Sequence, residues 1–182
     1  AADDRARLAL QGHAATRVRD AVDARLAVAC SSLQPMPTER VDLSALATQV
    51  ADALPALQRA APMRWDLQCD MQVLANPAAL KIVLANLMGN AAKFSLDHPR
   101  PRARIGLRSE AGDVLRISVQ DNGAGFDPTR ADRLFRPFSR LHARGDPAGS
   151  GIGLSIVQRI VERHGGTVHA ASSGPGRGAC FE

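Results

Sequence analysis

Three polar side chains between residues 86 and 93 sit at a spacing that chemistry can use. Asn86, Asn90 and Lys93 fall at i, i+4 and i+7. On a helix turning about 100° per residue they form one stripe about 60° wide. Leu80, Leu84, Leu87 and Ala91 form the apolar side of the same segment. Two amides and an ammonium therefore face one place beside a core. An amide oxygen is a hard ligand suited to Mg²⁺, which takes few protein ligands and prefers phosphate oxygens for the rest. The plain alternative is a solvated helix face. A second candidate follows the alternation Leu115, Ile117, Val119, which Asp121 continues on the same strand face. A carboxylate directed toward the core is costly unless it meets a donor. Asn122-Gly123-Ala124-Gly125 follows at once, and its glycines leave space for a flat ligand to approach the backbone. The carboxylate can accept a hydrogen bond from an exocyclic amino group, such as that at C6 of adenine. The alternative is an Asn-Gly turn after a strand.

Two further segments suit phosphate. Gly149-Ser150-Gly151-Ile152-Gly153-Leu154 enters a helix, and unpaired N–H groups at a helix N-terminus favour anions. The run matches neither a dinucleotide nor a Walker fingerprint, and a capped helix after a flexible loop would read the same way. Upstream, Phe135 and Phe138 are expected to anchor the loop on the domain. Residues 127–146 carry five Arg (130, 133, 136, 140, 144) against three Asp (127, 132, 146), a balance that suits a mobile lid over phosphates.

The elements that must position these groups can be read from periodicity. Residues 1–33 repeat Leu8, Ala15, Val18, Val22, Leu26, Ala29 and Leu33 at threes and fours, an amphipathic helix suited to packing on other helices. Pro35 and Pro37 end it in a linker. Ser44 is expected to cap a helix to about residue 60. Residues 64–70 and 72–75 read as strands, and Asn76-Pro77 opens the helix to about Ser95. Residues 104–108 and 114–121 read as a hairpin, 151–164 as a helix, and 167–171 and 178–182 as strands. The class is α+β: a two-layer sandwich, with a mostly antiparallel mixed sheet covered by helices on one face and one long helix preceding it.

Composition narrows the function. The chain has 182 residues and a net charge of +5, and 21 of its 23 basic residues are Arg. With no Tyr, one Trp and five Phe, a stacking platform for nucleic acid is not expected. Cys30, Cys69 and Cys180 show no metal or disulfide spacing, which suits a reducing compartment. The start at Ala1-Ala2-Asp3-Asp4 reads as a fragment or a processed chain.

The order of the motifs is more specific than any one of them. Asn86-Leu87-Met88-Gly89-Asn90-Ala91-Ala92-Lys93-Phe94, then Asp121-Asn122-Gly123-Ala124-Gly125, then Phe135–Phe138, then Gly149–Leu154 resembles the N, G1, F and G2 boxes of the ATP-binding catalytic domain of bacterial sensor histidine kinases, of the Bergerat (GHKL) fold. The resemblance covers 41–182. The run Phe138-Ser139-Arg140-Leu141-His142 looks most like kinases linked to PAS or phytochrome-type modules. The resemblance implies that Asn90 ligates Mg²⁺ on ATP and that Asn86 and Lys93 contact phosphates or metal-bound water. It implies that Asp121 holds the adenine amino group, with Gly123 and Gly125 giving room. Gly149, Gly151, Gly153 and Leu154 would bring the lid and helix end to the phosphates, with Arg140 or Arg144 reaching the γ-phosphate.

ATP-hydrolysing relatives carry a water-activating Glu where Asn86 stands, so the resemblance implies a kinase. The family's phosphoacceptor box is missing, since His13 lies in Gly12-His13-Ala14-Ala15 without an acid or a proline. Residues 1–36 then read as the second dimerisation helix and linker, and 41–182 as the catalytic domain. The expected partners are an upstream helix bearing the acceptor histidine, a response-regulator receiver domain and a second copy of the chain, in the cytoplasm. The readings weighed against this one are an ATPase or chaperone of the same superfamily, an anti-sigma-type serine kinase, and a degenerate ATP-binding module.

Overall fold

The computed structural model describes residues 36–54, 62–111, 114–139 and 151–182. The helix expected over 1–33, with His13, lies outside them. The described chain opens with strand β1 (Glu39–Asp42) and helix α1 (Leu43–Ala53). Asp42 caps the helix, its carboxylate accepting from the Ala45 N–H at 2.9 Å. The expected cap, Ser44, is engaged elsewhere. Its hydroxyl accepts from the Met71 N–H (2.9 Å) and donates to Gln68 O (3.1 Å). α1 ends at Ala53, short of the expected residue 60. Leu54 is extended at φ −67°, ψ 131°, as steric conflict with the following Pro55 favours.

Strands β2 (Arg64–Leu67) and β3 (Gln72–Ala75) precede α2 (Pro77–Phe94). Asn76 caps α2 through the Ala79 N–H at 3.0 Å, with proline at the first helical position as expected. β4 (Arg102–Ser109) and β5 (Leu115–Asp121) form the hairpin. A 3₁₀ turn at Pro128–Arg133, α3 (Gly153–Arg163), β6 (Ala170–Ala171) and β7 (Cys180–Phe181) complete the described chain. The 3₁₀ turn orders part of the segment read as a mobile lid; Asp127 caps it through the Thr129 N–H at 3.0 Å.

β1 pairs with β3 in a small antiparallel sheet, and a five-stranded sheet runs β2-β4-β5-β7-β6. Only β2 and β4 are parallel neighbours within it. β6 and β7 are shorter than expected, although His169 and Glu182 exchange both backbone bonds beyond them. α2 packs on β4 and β5 and is flanked by α1 and α3. The core lies between helices and sheet, with Leu84, Met88, Ile105, Val119, Val157 and Ile160 almost fully buried. Each large aliphatic side chain there contributes about 1.5–3 kcal/mol. This architecture is the expected α+β sandwich.

Candidate functional site

The site grows from two elements in contact, α2 and the end of β5. The alternation that buries Val119 also turns Asp121 inward, leaving that residue 8% exposed. Its Oδ1 accepts from the Gly123 N–H (2.8 Å) and the Ala179 N–H (3.3 Å). Oδ2 has no hydrogen-bond partner among the described residues. Burial raises the pKa of this carboxyl above its ordinary value, and the two backbone bonds oppose that shift. Asp121 is thus a fixed carboxylate with one oxygen committed and one open to a donor.

The loop after it is locked from both sides. The Ala124 N–H donates to Phe94 O at the end of α2 (2.8 Å), and the Gly178 N–H donates to Gly123 O (3.0 Å). A Cβ on Gly123 would collide with Phe94 O, and one on Gly125 with Gly174 O. Gly125 also has a φ of +59°, which disfavours other residues. The space a side chain would take at these two positions is filled by the protein's own backbone, so both glycines hold the loop against α2 and the 174–178 turn.

On α2, Asn86, Asn90 and Lys93 share a half-buried stripe as expected. Their surroundings differ. Asn86 Nδ2 donates to Ile82 O at 2.9 Å, and its Oδ1 lies where a Cβ on Gly153 would fall. Asn86 therefore lies against the N-terminal end of α3, and a side chain at 153 would displace its amide. Asn90 has no hydrogen-bond partner among the described residues. The Lys93 ammonium lies 4.6 Å from the Phe94 ring centroid. The two anchor points on α2, Asn86 and Phe94, are eight residues apart, roughly 12 Å at 1.5 Å per residue. A ligand reaching from the Asp121 end to the α3 end must be elongated.

Phe135 and Phe138 do not act as a pair. Phe135 packs against the core, whereas Phe138 is 74% exposed and left-handed at φ 62°. Its N–H donates to Gly151 O at 3.0 Å, which ties the two sides of the 140–150 segment together by backbone. Arg140, Arg144 and Gly149 lie outside the described residues. Gly151, at φ +71°, and the half-buried Leu154 flank Gly153 where α3 begins.

Three residues escaped the sequence reading. Asn122 accepts from the Arg102 N–H (2.8 Å) and donates to Arg100 O (2.9 Å), clamping the 98–102 loop beside the site. Ser172 accepts from the Phe126 N–H at 3.1 Å and donates to Gly178 O at 2.7 Å. Ser95, fully buried at the end of α2, has a hydroxyl with no partner among the described residues. Asn122 followed by glycine signalled only a turn, and no spacing pointed to Ser95 or Ser172.

Residues 75–182 match a family model described as "Histidine kinase-, DNA gyrase B-, and HSP90-like ATPase". Cyanobacterial phytochrome A of Nostoc sp. is 36% identical over 152 residues, covering 78% of this chain and 20% of the relative. Phytochrome-like protein Cph1 of Synechocystis sp. is 41% identical over 110 residues, covering 60% and 14%. The mycobacterial sensor histidine kinase MprB has the same fold (TM-score 0.67, 24% identity, 79% of this chain and 94% of that one). Full-length ShkA, solved in complex with AMPPNP, is also similar (TM-score 0.65, 25% identity, 94% and 37%). The chain spans between 10% and 20% of the length of the first curated relatives it matches. Among the described residues no helix is long and apolar enough to cross a membrane. The motif order, the α2–β5 geometry and these matches agree: the chain belongs to the histidine kinase-, DNA gyrase B- and HSP90-like ATPase family.

Proposed function

We propose that this domain binds MgATP along α2 and delivers the γ-phosphoryl to a histidine outside the chain, for relay to a response-regulator aspartate. The observation that carries the adenine assignment is Asp121, whose Oδ1 is saturated by backbone while Oδ2 is open. An acceptor fixed in that way suits the C6 amino group of adenine and meets a carbonyl in guanine. Asn90 fits a metal: it offers an uncommitted amide oxygen, half-buried, on the stripe that carries Lys93. The ion would neutralise phosphate charge when bound. The chain's own residues bind and orient the triphosphate, with Asn90 and Lys93 along its path and the α3 N-terminus, at Gly151, Gly153 and Leu154, toward its far end. Arg140 and Gly149 belong to the same proposal, with Arg140 or Arg144 reaching the γ-phosphate.

In the transfer, the acceptor imidazole nitrogen bonds to the γ-phosphorus as the bond to the β-phosphate oxygen breaks, and ADP leaves. A nucleophile supplied from elsewhere makes a water-activating base unnecessary. Asn86, neutral and bound to Ile82 O, supports this reading over an ATPase. Its part is to hold α3 against α2, where it can also contact metal-bound water. Residues 1–36 would pair with the upstream dimerisation helix and with a second copy, in the cytoplasm, and nucleic acid has no place in the scheme. The test is γ-labelled ATP with a separate peptide carrying the upstream helix. Acid-labile label should appear on the peptide's histidine and not on this chain. Acid-labile label on the chain alone, abolished by His13→Ala, would overturn both the acceptor and the domain boundary.

A further inference from the structure

The helices cover one face of the five-stranded sheet, and the other face is strongly basic. Along β4 the residues opposite the core are Arg102, Arg104, Gly106 and Arg108. The parallel register sets Arg64 beside Arg102 and Asp66 beside Arg104, and the antiparallel register sets Gln120 beside Arg104 on its other side. An open concavity of about 540 Å³ lies over these residues, with Arg177 at its edge. A smaller one of about 60 Å³ continues it toward Arg108 and Ser118, sharing Gln68, Arg104 and Gln120.

Five guanidiniums thus line the groove, and on this face Asp66 is the carboxylate among them. Asp66 is held by Arg64 (2.9 Å) and Arg102 (3.7 Å). Asp121 also borders the groove, but its side chain is turned to the helix side with Val119. Arg104 and Arg177 form no ion pair among the described residues. The contrast lies on the same face: Arg116 is gripped by both Glu110 and Glu182. One end of this sheet face is internally neutralised and the other is left positive.

We propose that this groove docks an acidic segment of a partner protein, lying extended along β4. Charge complementarity selects the sign, and guanidiniums on rigid strands suit carboxylates. Length selects the occupant. Arg102 to Arg108 spans about 20 Å at 3.3 Å per residue, and Arg102 and Arg104 lie about 7 Å apart, the spacing of alternate side chains in an extended chain. A single compact anion would leave most of the groove unpaired. The absence of Tyr and the single Trp in the chain argue against a stacked polynucleotide. β4 is paired on both sides, so recognition runs through side chains and not through added strand pairing.

The test is titration of the full chain with the capped peptide acetyl-(Glu-Ser)₄-amide, followed by calorimetry and by amide chemical shifts. Saturable binding is expected, with shifts confined to 64–68, 102–108 and 118–120. Arg104→Gln/Arg108→Gln should weaken it about tenfold, the effect of losing charge-assisted bonds. Lys81→Gln/Arg159→Gln, which removes the same charge from exposed helix positions, should leave it within about twofold. Both variants replace exposed side chains, and retained far-UV dichroism checks their folding. The proposal is overturned by no saturable binding, by shifts along α2 instead, by an equal loss in the helix-face variant, or by inorganic pyrophosphate binding the same residues as tightly. Asn90→Ala should not alter peptide binding, so this result stands apart from the fate of the nucleotide assignment.

Discussion

Two parts of the candidate nucleotide site, Asp121 with the loop after it and Asn90 on α2, are built on opposite plans. At Asp121, backbone provides the hold: Gly123 and Ala179 fix the carboxylate, and Phe94, Gly174 and Gly178 fix the loop that follows. At Asn90, the side-chain amide has no partner among the described residues. The first is held in place by the fold; the second is left uncommitted by it. A substitution in the Asp121 loop should therefore disturb the fold as well as the proposed adenine contact, and one at Asn90 the proposed metal contact alone.

The largest effect should come from Gly123→Val. Its Cβ would drive into Phe94 O, and backbone cannot yield as a side chain does. A loss of about 3 kcal/mol is expected from overpacking of this kind, read as a shifted denaturant midpoint. A midpoint close to that of the unmodified chain would mean the loop is not locked. Next, Asp121→Asn should weaken ATP binding by about 1.5–3 kcal/mol, the worth of a charged hydrogen bond.

Asn90→Ala should leave the denaturant midpoint within about 0.5 kcal/mol while removing most of the Mg²⁺ enhancement of nucleotide affinity. Calorimetry with and without Mg²⁺ reads this, and an unchanged enhancement would place the metal elsewhere. Together the last two variants sharpen the contrast between the two parts.

The pH dependence should be gentler. Burial raises the Asp121 pKa in the folded chain, so the native state holds its proton to higher pH than the unfolded state. The stability contribution of that proton is full below the ordinary carboxylate value and is lost as pH rises through the raised one. Nucleotide binding has the opposite slope, because an amino donor needs the ionised form. ATP affinity should fall on acidification at a higher pH than an ordinary carboxylate would give, with proton release on binding in mildly acid buffer. Affinity flat across that range would contradict the assignment. The smallest effect is expected from Phe138→Gly. An exposed residue at φ 62° gains from glycine in the folded state, so stability should change by under about 1 kcal/mol.

The difference between the two parts also explains what the sequence could disclose. Asp121 was legible because strand alternation fixes which way a side chain points, and the α2 stripe because helical period does the same. The cap of α2 was legible because Asn-Pro has few other uses. The cap of α1 was not: Asp42 and Ser44 are both good caps, and Ser44 is engaged by a bond to Met71 that only tertiary structure supplies. The glycines of the G1 loop revealed that something comes close, not that it is Phe94 O and Gly174 O. Phe135 and Phe138 looked alike by type and spacing, and their separation into core anchor and exposed turn depends on a left-handed backbone no local pattern announced. The groove behind the sheet went unread because its arginines come from three separate segments.

Asp121 is proposed to read the amino group of adenine. Calorimetry with ATP, GTP and inosine triphosphate in Mg²⁺ tests it most directly, because inosine triphosphate replaces the C6 amino group of ATP by a carbonyl and leaves the rest of the nucleotide intact save a proton on N1. The unmodified chain should prefer ATP to both by about tenfold or more, the worth of a hydrogen bond to a charged partner, and Asp121→Asn should narrow both gaps. Equal affinity for the three nucleotides in the unmodified chain would contradict the claim.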